Sequence, residues 1–233
     1  MRKNQPPKSI FSSQQIKYED DPDLATKLGL IPGEIKKFEV FIYPLFDGYI
    51  GDSLFTPGID KLREIIDQLL AGLQQLIDAG KCHNDLKPTN ILYCYQSNKY
   101  TIKISDFAQC GTQGGTPGWT APVFLESRQP GKEDMYSLGL VILRLLCTDQ
   151  IIFHCIRDNF VENTNQQWMV DFKSLVEIKF VMKMMNLDQQ PTLQEIKDEW
   201  TQIKAGFKII TAQRLLQLSI PRQYLQLQYN HTE

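Results

Sequence analysis

A carboxylate, a cation and an amide lie close together in the stretch 82–90, CHNDLKPTN, as Asp85, Lys87 and Asn90. A second carboxylate, Asp106, stands sixteen residues after Asn90, at the end of a strand-like run. Phosphoryl transfer to a hydroxyl uses a carboxylate to orient the hydroxyl and a cation near the moving group, while amide and carboxylate oxygens hold Mg²⁺. The four side chains supply these functions in this order, so their types and spacing favour phosphoryl transfer.

Four motifs of the chain resemble, in order, motifs of the eukaryotic protein kinases. Residues 82–92 resemble the catalytic loop H-R-D-L-x-x-x-N, and residues 106–108 (DFA) resemble the metal-binding motif D-F-G. Residues 115–122 resemble the end of the activation segment, and residues 134–139 resemble the D-x-x-S-x-G motif that begins a buried helix. Unrelated loops in some other α/β protein are the alternative, but four motifs in one order multiply their specificity.

This resemblance implies an α+β, mostly helical fold, made of the large lobe of a protein kinase and a remnant of its small β lobe. Residues 1–37 are then a polar N-terminal segment with part of the small lobe. Residues 38–207 form the kinase-like domain, with the hinge between its lobes near residues 44–46, and residues 208–233 form a C-terminal tail.

The resemblance also assigns roles to side chains of the site. It implies that Asp85 orients the acceptor hydroxyl and that Lys87 neutralises the transferred phosphoryl group. Asn90 and Asp106 would bind Mg²⁺, and Lys87 and Asn90 would contact ATP. The adenine ring of ATP would be bound by the backbone of the hinge residues Pro44, Leu45 and Phe46.

Neighbouring residues have supporting roles in the family. The threonine matching Thr116 bonds the catalytic aspartate and the lysine in the serine/threonine branch. The histidine matching His83 packs under the metal-binding motif, and the aspartate matching Asp134 holds the catalytic loop by its backbone amides. Lys87 and Asn90 could instead be ordinary turn residues beside a proline, an alternative that the accompanying motifs disfavour.

Local patterns predict the first elements that would position the site. A strand rich in β-branched and aromatic residues is predicted at 38–43, and it is ended by Pro44, which cannot donate to a ladder. From Asp60 onward, apolar residues at helical spacing predict a helix that Asp60 caps and Gly80 ends.

Further along the chain, residues 91–93 and 101–105 predict a hairpin that turns at 97–99 and places Asp106 at a strand end. Residues 133–147 predict a helix that is apolar nearly all round, and therefore buried, with Asp134 as its cap.

The C-terminal third predicts two more helices, at 167–185 and 192–207. The tail at 209–227 alternates apolar residues with glutamines, which favours packing on the surface of the domain or on a partner.

Composition limits the classes of partner. The 233 residues are 42% hydrophobic, which suits a globular protein. The net charge is −2, and the sequence shows neither a basic surface typical of nucleic-acid binding nor a polybasic membrane anchor. The longest apolar run is far shorter than the roughly 20 residues of a membrane span, and no secretory signal is recognisable. Five cysteines without a C-x-x-C pair favour reduced thiols in the cytoplasm or the nucleus.

Several positions depart from the family pattern. Residues 1–43 contain no G-x-G-x-x-G loop and no V-A-I-K strand, so the groups that cover and grip the phosphates of ATP have no match. Asn84 replaces the arginine of H-R-D, which in the family binds a phosphate on the activation segment. Activation by phosphorylation of that segment is therefore expected to be unnecessary or impossible.

Two further departures concern the backbone and a buried ion pair. Ala108 replaces the glycine of D-F-G, and alanine resists a positive φ by about 1 kcal/mol. Val123 and Gln190 replace both partners of a buried ion pair, which avoids leaving one buried charge alone.

Two functions from different classes are therefore open. The first is a divergent serine/threonine kinase that transfers the γ-phosphoryl group of ATP to a protein substrate. The second is a pseudokinase, a protein-interaction or assembly module with little or no catalysis. A partner chain that completes the small lobe is a third alternative.

Overall fold

The structure of the chain is a computed structural model, which describes residues 45–52, 54–110, 115–121, 131–147, 153–154, 157 and 171–211. The predictions for residues 1–37, for the strand at 38–43, for Pro44, for Val123 and for the tail beyond Thr211 concern residues outside these ranges. The chain divides into two units, and the following description concerns the second, Phe46–Glu233.

Helix α1 (Ile59–Asp78) forms one wall of the core. Its apolar side chains recur at helical spacing, and six of them are buried: Leu62, Ile65, Ile66, Leu69, Leu70 and Leu73. The helix ends as predicted at Gly80, which has a φ of 63°. The N–H groups of Gly80 and Lys81 donate to the carbonyls of Ile77 and Leu76, both at 2.9 Å, and so close the last turn.

The predicted cap of α1 by Asp60 is wrong. Asp60 lies inside the first turn, and its carboxylate accepts a hydrogen bond from the Arg63 side chain at 2.9 Å. The cap residue is Gly58, whose backbone is extended and which makes no side-chain bond to the helix. A capping carboxylate must stand just before the first helical residue, and the chain enters the helix too early for Asp60 to do so.

Three antiparallel strands pair in the order β1 (Gly48–Tyr49), β2 (Ile91–Gln96) and β3 (Lys99–Ile104). The predicted hairpin of β2 and β3 is confirmed, and its two turn residues, Ser97 and Asn98, have φ values of 51° and 61°. Positive φ at both central residues is what a two-residue turn between twisted strands requires. Asp106 follows the end of β3, as predicted.

Helix α2 (Lys132–Leu146) is buried nearly all round, as its composition predicts. Its predicted cap is wrong, because Gly131, at a φ of 93°, is the cap residue and Asp134 lies in the first turn. The Asp134 carboxylate accepts hydrogen bonds from a loop in another part of the chain.

Helix α3 (Val176–Met185) packs against α2. A side chain at Gly139 of α2 would meet Met185 Cγ at 3.0 Å, so the glycine permits this close approach. The single helix predicted at 167–185 is wrong in its described part, because residues 174–175 form a turn before α3 begins. The extended backbone of Leu175 interrupts the helical hydrogen bonds there.

Helix α4 (Leu193–Ile203) begins where it was predicted. The Thr192 side chain accepts a bond from the backbone N–H of Glu195, and the Glu195 carboxylate accepts one from the backbone N–H of Thr192. The helix ends earlier than the predicted residue 207, because residues 204–206 tighten into a 3-10 turn.

The chain after α4 is held to the body of the domain as far as Thr211. Phe207 and Ile210 are fully buried. The Arg63 guanidinium donates to the carbonyls of Ala205 and Phe207 at 2.9 and 2.8 Å, and the Lys208 N–H donates to the Glu177 carboxylate at 2.8 Å. Residues 204–211 therefore contribute to the core.

The described part of the chain is α+β and mostly helical, as predicted. Within it, none of the helices has the length and apolar character needed to cross a membrane.

Candidate active site

The loop 82–90 is held in place by hydrogen bonds to Asp134 of helix α2. This carboxylate is 1% exposed and accepts hydrogen bonds from the backbone N–H groups of His83 at 2.6 Å and Asn84 at 2.8 Å. The predicted contact between Asp134 and these amides is confirmed. A buried carboxylate in the first turn of α2 therefore fixes the backbone just ahead of Asp85.

His83 is fully buried and joins the loop to the strand β3 region. Its Nε2–H donates to the Ser105 carbonyl at 2.9 Å, its Nδ1 accepts from the Asp85 N–H at 3.3 Å, and its ring lies 5.0 Å from that of Phe107. Both ring nitrogens are thus occupied within the fold. The expectation that His83 packs under residues 106–108 is confirmed.

Asp85 lies at the centre of a hydrogen-bonded cluster. Its Oδ2 accepts from Lys87 Nζ at 2.7 Å and from Asn90 Nδ2 at 3.1 Å, and its Oδ1 accepts from Thr116 Oγ1 at 2.6 Å. Lys87 Nζ also donates to Thr116 Oγ1 at 2.7 Å. The structure therefore brings together three of the four predicted groups and confirms the predicted contacts of Thr116 with both Asp85 and Lys87.

These contacts decide the protonation of Asp85. Burial by itself raises the pKa of its carboxyl group, but the hydrogen bonds from Lys87, Thr116 and Asn90 and the positive charge of Lys87 outweigh burial, so the net pKa lies below its ordinary value of 3.8. At neutral pH Asp85 is a carboxylate, which can accept a hydrogen bond from a hydroxyl group.

Asn90 and Asp106, the predicted metal ligands, stand on segments that are tied together. The N–H and the hydroxyl of Ser105, the residue before Asp106, both donate to the Asn90 backbone carbonyl, at 2.8 and 3.0 Å. Asn90 Nδ2 is directed at Asp85, at its backbone carbonyl as well as its carboxylate, which leaves Oδ1 as the ligand atom. Asp106 is exposed.

An amide oxygen and a carboxylate are ligands that Mg²⁺ accepts, so these two residues fit the ion. Across the described ranges, no group of three or more His, Cys, Asp or Glu side chains is arranged to hold a metal. Among the described residues, the candidate Mg²⁺ site therefore consists of Asn90 and Asp106, and the binding of Mg²⁺ by these two residues stays a prediction.

Two of the three predicted hinge residues are described. Leu45 is 96% exposed and Phe46 is half-buried, while Pro44 lies outside the described residues. The next residue, Asp47, donates its N–H to the Tyr93 carbonyl at 2.9 Å and so connects the chain to strand β2. The nucleotide contacts predicted for this segment stay a prediction.

Residues 45–203 match the family described as Protein kinase domain. The chain belongs to this family. The curated relatives include calcium/calmodulin-dependent protein kinase type IV of Mus musculus, with 29% identity over 239 residues, 85% of this chain and 50% of the relative. Others are calcium/calmodulin-dependent protein kinase type 1 of Caenorhabditis briggsae, with 33% identity over 46% of this chain and 35% of the relative, and type 1B of Rattus norvegicus, with 37% identity over 44% and 32%. The chain spans about half the length, or less, of the relatives it matches.

The backbone at Ala108 lies outside the positive-φ region, as expected for an alanine in place of glycine. Ala108 lies in a short 3-10 turn, Phe107–Gln109, and it is not among the described residues with positive φ. The left-handed conformation is instead at Asp106, which has a φ of 61°. This agrees with the expectation that alanine resists a positive φ, and the left-handed position falls two residues earlier, on a residue type that adopts it more readily.

The side chain of Gln190 bonds two helices of the kinase domain to each other. Its Nε2 donates to the carbonyls of Lys132, in the first turn of α2, and of Met184, near the end of α3, at 3.0 and 2.5 Å. A neutral amide thus joins the two helices where the family has a buried ion pair. The predicted proximity of Gln190 to Val123 stays a prediction, because Val123 lies outside the described residues.

Sequence reasoning missed three contributors to the site. Ser105 bonds the Asn90 carbonyl, the Asn84 amide donates to the Gln109 carbonyl at 3.1 Å, and Gly115 lies against the Asn84 carbonyl. Ser105 had one available signal, its position between the strand and Asp106. The other two contacts join residues far apart in sequence and gave no local signal.

Proposed function

We propose that this chain is a divergent serine/threonine protein kinase that transfers the γ-phosphoryl group of ATP to a hydroxyl group of a protein substrate. The observation that supports this most directly is the closed cluster of Asp85, Lys87 and Thr116. A turn that merely contained these residue types would have no reason to bring a threonine from 29 residues away onto the lysine.

In this proposal Asp85 orients the acceptor hydroxyl and takes its proton. Both carboxylate oxygens are fixed by donors, Oδ1 by Thr116 and Oδ2 by Lys87 and Asn90, so the carboxylate has one orientation before substrate arrives. The lowered pKa keeps it ionised at neutral pH. Catalysis of phosphoryl transfer depends almost entirely on positioning and electrostatic stabilisation, so a carboxylate that is held in one orientation favours this reaction.

Lys87 supplies positive charge beside Asp85, where the transferred group would arrive. Its ammonium group is already held by Asp85 and Thr116, so little side-chain freedom would be lost when it binds a phosphoryl oxygen. Mg²⁺, bound by Asn90 Oδ1 and the Asp106 carboxylate, would neutralise the phosphates of ATP. The backbone of residues 44–46 would bind the adenine ring.

A second candidate function, a pseudokinase, is favoured by one feature of the sequence. Residues 1–43 contain neither a glycine loop nor a V-A-I-K lysine, the groups that cover and grip the phosphates in this family. We therefore expect weak binding of Mg²⁺ and ATP, and slow transfer by the isolated chain. A partner chain that completes the small lobe would raise both the affinity for Mg²⁺ and ATP and the rate of transfer. Such a complex would form in the cytoplasm or the nucleus.

Transfer of labelled γ-phosphate to a generic protein substrate and to the chain itself tests this proposal. The control is Asp85→Asn, which keeps the shape of the side chain and removes the proton acceptor. We expect slow, Mg²⁺-dependent transfer that the control abolishes. Equal signals from the wild type and Asp85→Asn would contradict the kinase proposal and leave the pseudokinase.

A rapid transfer lost in Asp85→Asn would instead contradict the pseudokinase. It would also show that another cation performs the function of the missing lysine, and Lys17, Lys27 and Lys36 are the first to replace by methionine. Binding of ATP measured by thermal shift, with and without Mg²⁺ and in Asp106→Asn, separates loss of binding from loss of chemistry.

A further inference from the structure

The side chain of Gln68, in helix α1, closes the outer edge of strand β3. Its Oε1 accepts a hydrogen bond from the backbone N–H of Ile102 at 2.9 Å, and its Nε2 donates to the Tyr100 carbonyl at 3.0 Å. β3 stands at the end of the described sheet, where a strand has backbone groups on one side without a neighbouring strand. The amide of Gln68 supplies one acceptor and one donor to this edge, as the backbone of a further strand would.

A second contact holds β3 against α1, one turn further along the helix. A side chain at Gly72 would begin 3.0 Å from Ile104 Cδ1, so the glycine lets the end of the strand approach the helix closely. Gln68 and Gly72 are four residues apart and therefore lie on the same face of α1. The helix thus fixes β3 at two places, by hydrogen bonds in its middle and by an apolar contact at its end.

The end of β3 determines where Asp106 lies. Asp106 follows Ile104 by two residues, and the intervening Ser105 donates its N–H and its hydroxyl to the Asn90 carbonyl, at 2.8 and 3.0 Å. Asn90 directly precedes β2, whose first residue, Ile91, is paired with Ile104. A strand advances about 3.3 Å per residue, so a shift of β3 by one residue would move Asp106 by more than the length of a bond between Mg²⁺ and oxygen.

We propose that Gln68 is a positioning residue that holds Asp106 beside Asn90, because its amide fixes the edge of β3 on helix α1. Gln68 itself touches neither of the two predicted metal ligands and acts through the strand. The proposal deepens the proposed function and rests on it only in assigning Mg²⁺ to Asn90 and Asp106. The placement of β3 can be measured without Mg²⁺ and without phosphoryl transfer.

A pair of glutamine variants in the same helix tests the role of Gln68. Gln68→Met removes both hydrogen bonds to β3 and keeps the length and the helix propensity of the side chain. Gln74→Met is the matched control, because Gln74 is also half-buried in α1 but bonds Asp78 of the same helix and Lys197 of α4. Hydrogen exchange of the backbone amides is measured for the whole chain in both variants and in the wild type.

Two amides of the hairpin report on β3 in this experiment. We expect exchange at Ile102 to accelerate about fivefold in Gln68→Met, as for the loss of one ordinary hydrogen bond. Exchange at the Ser105 N–H, which donates to Asn90, should accelerate with it, because the end of β3 is then held less firmly. Gln74→Met should leave both amides unchanged. Unchanged exchange at Ser105 in Gln68→Met would overturn the proposal, and so would an equal acceleration at Ile142 of helix α2, which would show a general loss of stability.

A titration with MgCl₂, followed by the ¹³C signal of the Asp106 carboxyl group, is a readout that a role in stability alone would not change. Mg²⁺ requires near-ideal geometry, and the loss of outer contacts lowers the affinity of metal sites. Gln68→Met should therefore raise the midpoint of the titration at least about threefold, while Gln74→Met should leave it unchanged. Equal midpoints in Gln68→Met and the wild type would overturn the proposal.

Two further outcomes are distinguishable. If Gln68→Met does not fold, Gln68→Glu replaces it, because glutamate keeps the acceptor for the Ile102 N–H and loses the donor to the Tyr100 carbonyl. The expected directions at Ser105 and in the titration are the same. Absence of Mg²⁺ binding by the wild type would bear on the proposed function alone, because exchange at Ser105 still decides whether Gln68 fixes the end of β3.

Discussion

Single residues at the base of the loop decide whether Asp85 is held in place. Asp134 is the clearest case, because its buried carboxylate accepts hydrogen bonds from two backbone N–H groups, those of His83 and Asn84. A buried amide that loses its acceptor costs the free energy of its desolvation. Asp134 therefore contributes more to holding the loop in place than its distance from the predicted catalytic side chains suggests.

Asp134→Ala should lower the free energy of unfolding by about 1–3 kcal/mol, because it leaves the His83 and Asn84 amides buried without an acceptor. Urea unfolding of the whole chain measures this. Asp60→Ala is the control, since Asp60 is also a first-turn carboxylate but is exposed and bonds no loop. Equal losses in the two variants would show that Asp134 acts only on its own helix.

Thr116→Val removes the hydroxyl from the Asp85 cluster at nearly constant shape. We expect the pKa of the Asp85 carboxyl group to rise towards 3.8, because one of the bonds that lowers it is lost. A depressed carboxyl pKa stabilises the fold above the pKa of the unfolded state, and this contribution is lost as the pH falls through the folded pKa. Thr116→Val should therefore be less stable than the wild type at neutral pH, and the difference should narrow on acidification below about pH 4.

Unfolding at a series of pH values and a ¹³C NMR titration of Asp85 measure these effects. Thr120→Val is the matched control, because the Thr120 hydroxyl donates to the Thr116 carbonyl and makes no bond to the carboxylate. A stability difference for Thr116→Val that stays constant from neutral to acidic pH would show that Thr116 does not act on the charge of Asp85.

At the scale of elements, two helices begin at glycines that have different constraints. Gly58, before α1, has an extended backbone, and no atom lies within 4 Å of the place of a side chain. Gly131, before α2, has a φ of 93°, and a side chain there would meet Ile77 Cδ1 at 2.6 Å. The same replacement should therefore have opposite effects at the two positions.

Gly58→Ser should raise the free energy of unfolding by about 0.5 kcal/mol, because serine supplies the missing cap and restricts the unfolded chain. Gly131→Ser should lower it by about 1–3 kcal/mol through backbone strain and overpacking. Thermal and urea unfolding of both variants test this pair. A gain in stability at Gly131 would mean that the approach of α1 to α2 is looser than the structure indicates.

At the scale of the whole molecule, the folded domain continues beyond residue 203, where the family match ends. Phe207 contacts Phe180 of α3 and Trp200 of α4, with ring centroids 6.0 and 4.8 Å away. Arg63 of α1 binds the same segment. Residues 204–211 thus connect α1 with α3 and α4, which lie more than 95 residues later in the chain.

Phe207→Ala should lower the free energy of unfolding by about 3–5 kcal/mol, because it removes a fully buried aromatic ring and leaves a cavity. Lys208→Ala, at an exposed side chain whose backbone bond to Glu177 is kept, should change stability by less than about 0.5 kcal/mol. Urea unfolding of both measures the difference, and similar values for the two would show that residues 204–211 add nothing to the core.

The sequence by itself determined the family resemblance and most of the local structure. The types and order of Asp85, Lys87, Asn90 and Asp106 carry the kinase resemblance, and the family match bears out that resemblance. Helical spacing located α1, and an apolar surface on all sides indicated that α2 is buried. These properties could be predicted because they depend on side-chain chemistry and on neighbours within a few residues.

Tertiary structure alone decided where these helices begin and how Asn84 is held. Sequence patterns placed Asp60 and Asp134 as helix caps, but the cap positions belong to Gly58 and Gly131. The Asn84 bond to Gln109 joins residues 25 positions apart and was not foreseen. Such contacts form only when α2 packs beneath the loop, and that packing depends on the total burial of apolar surface, which no local pattern contains.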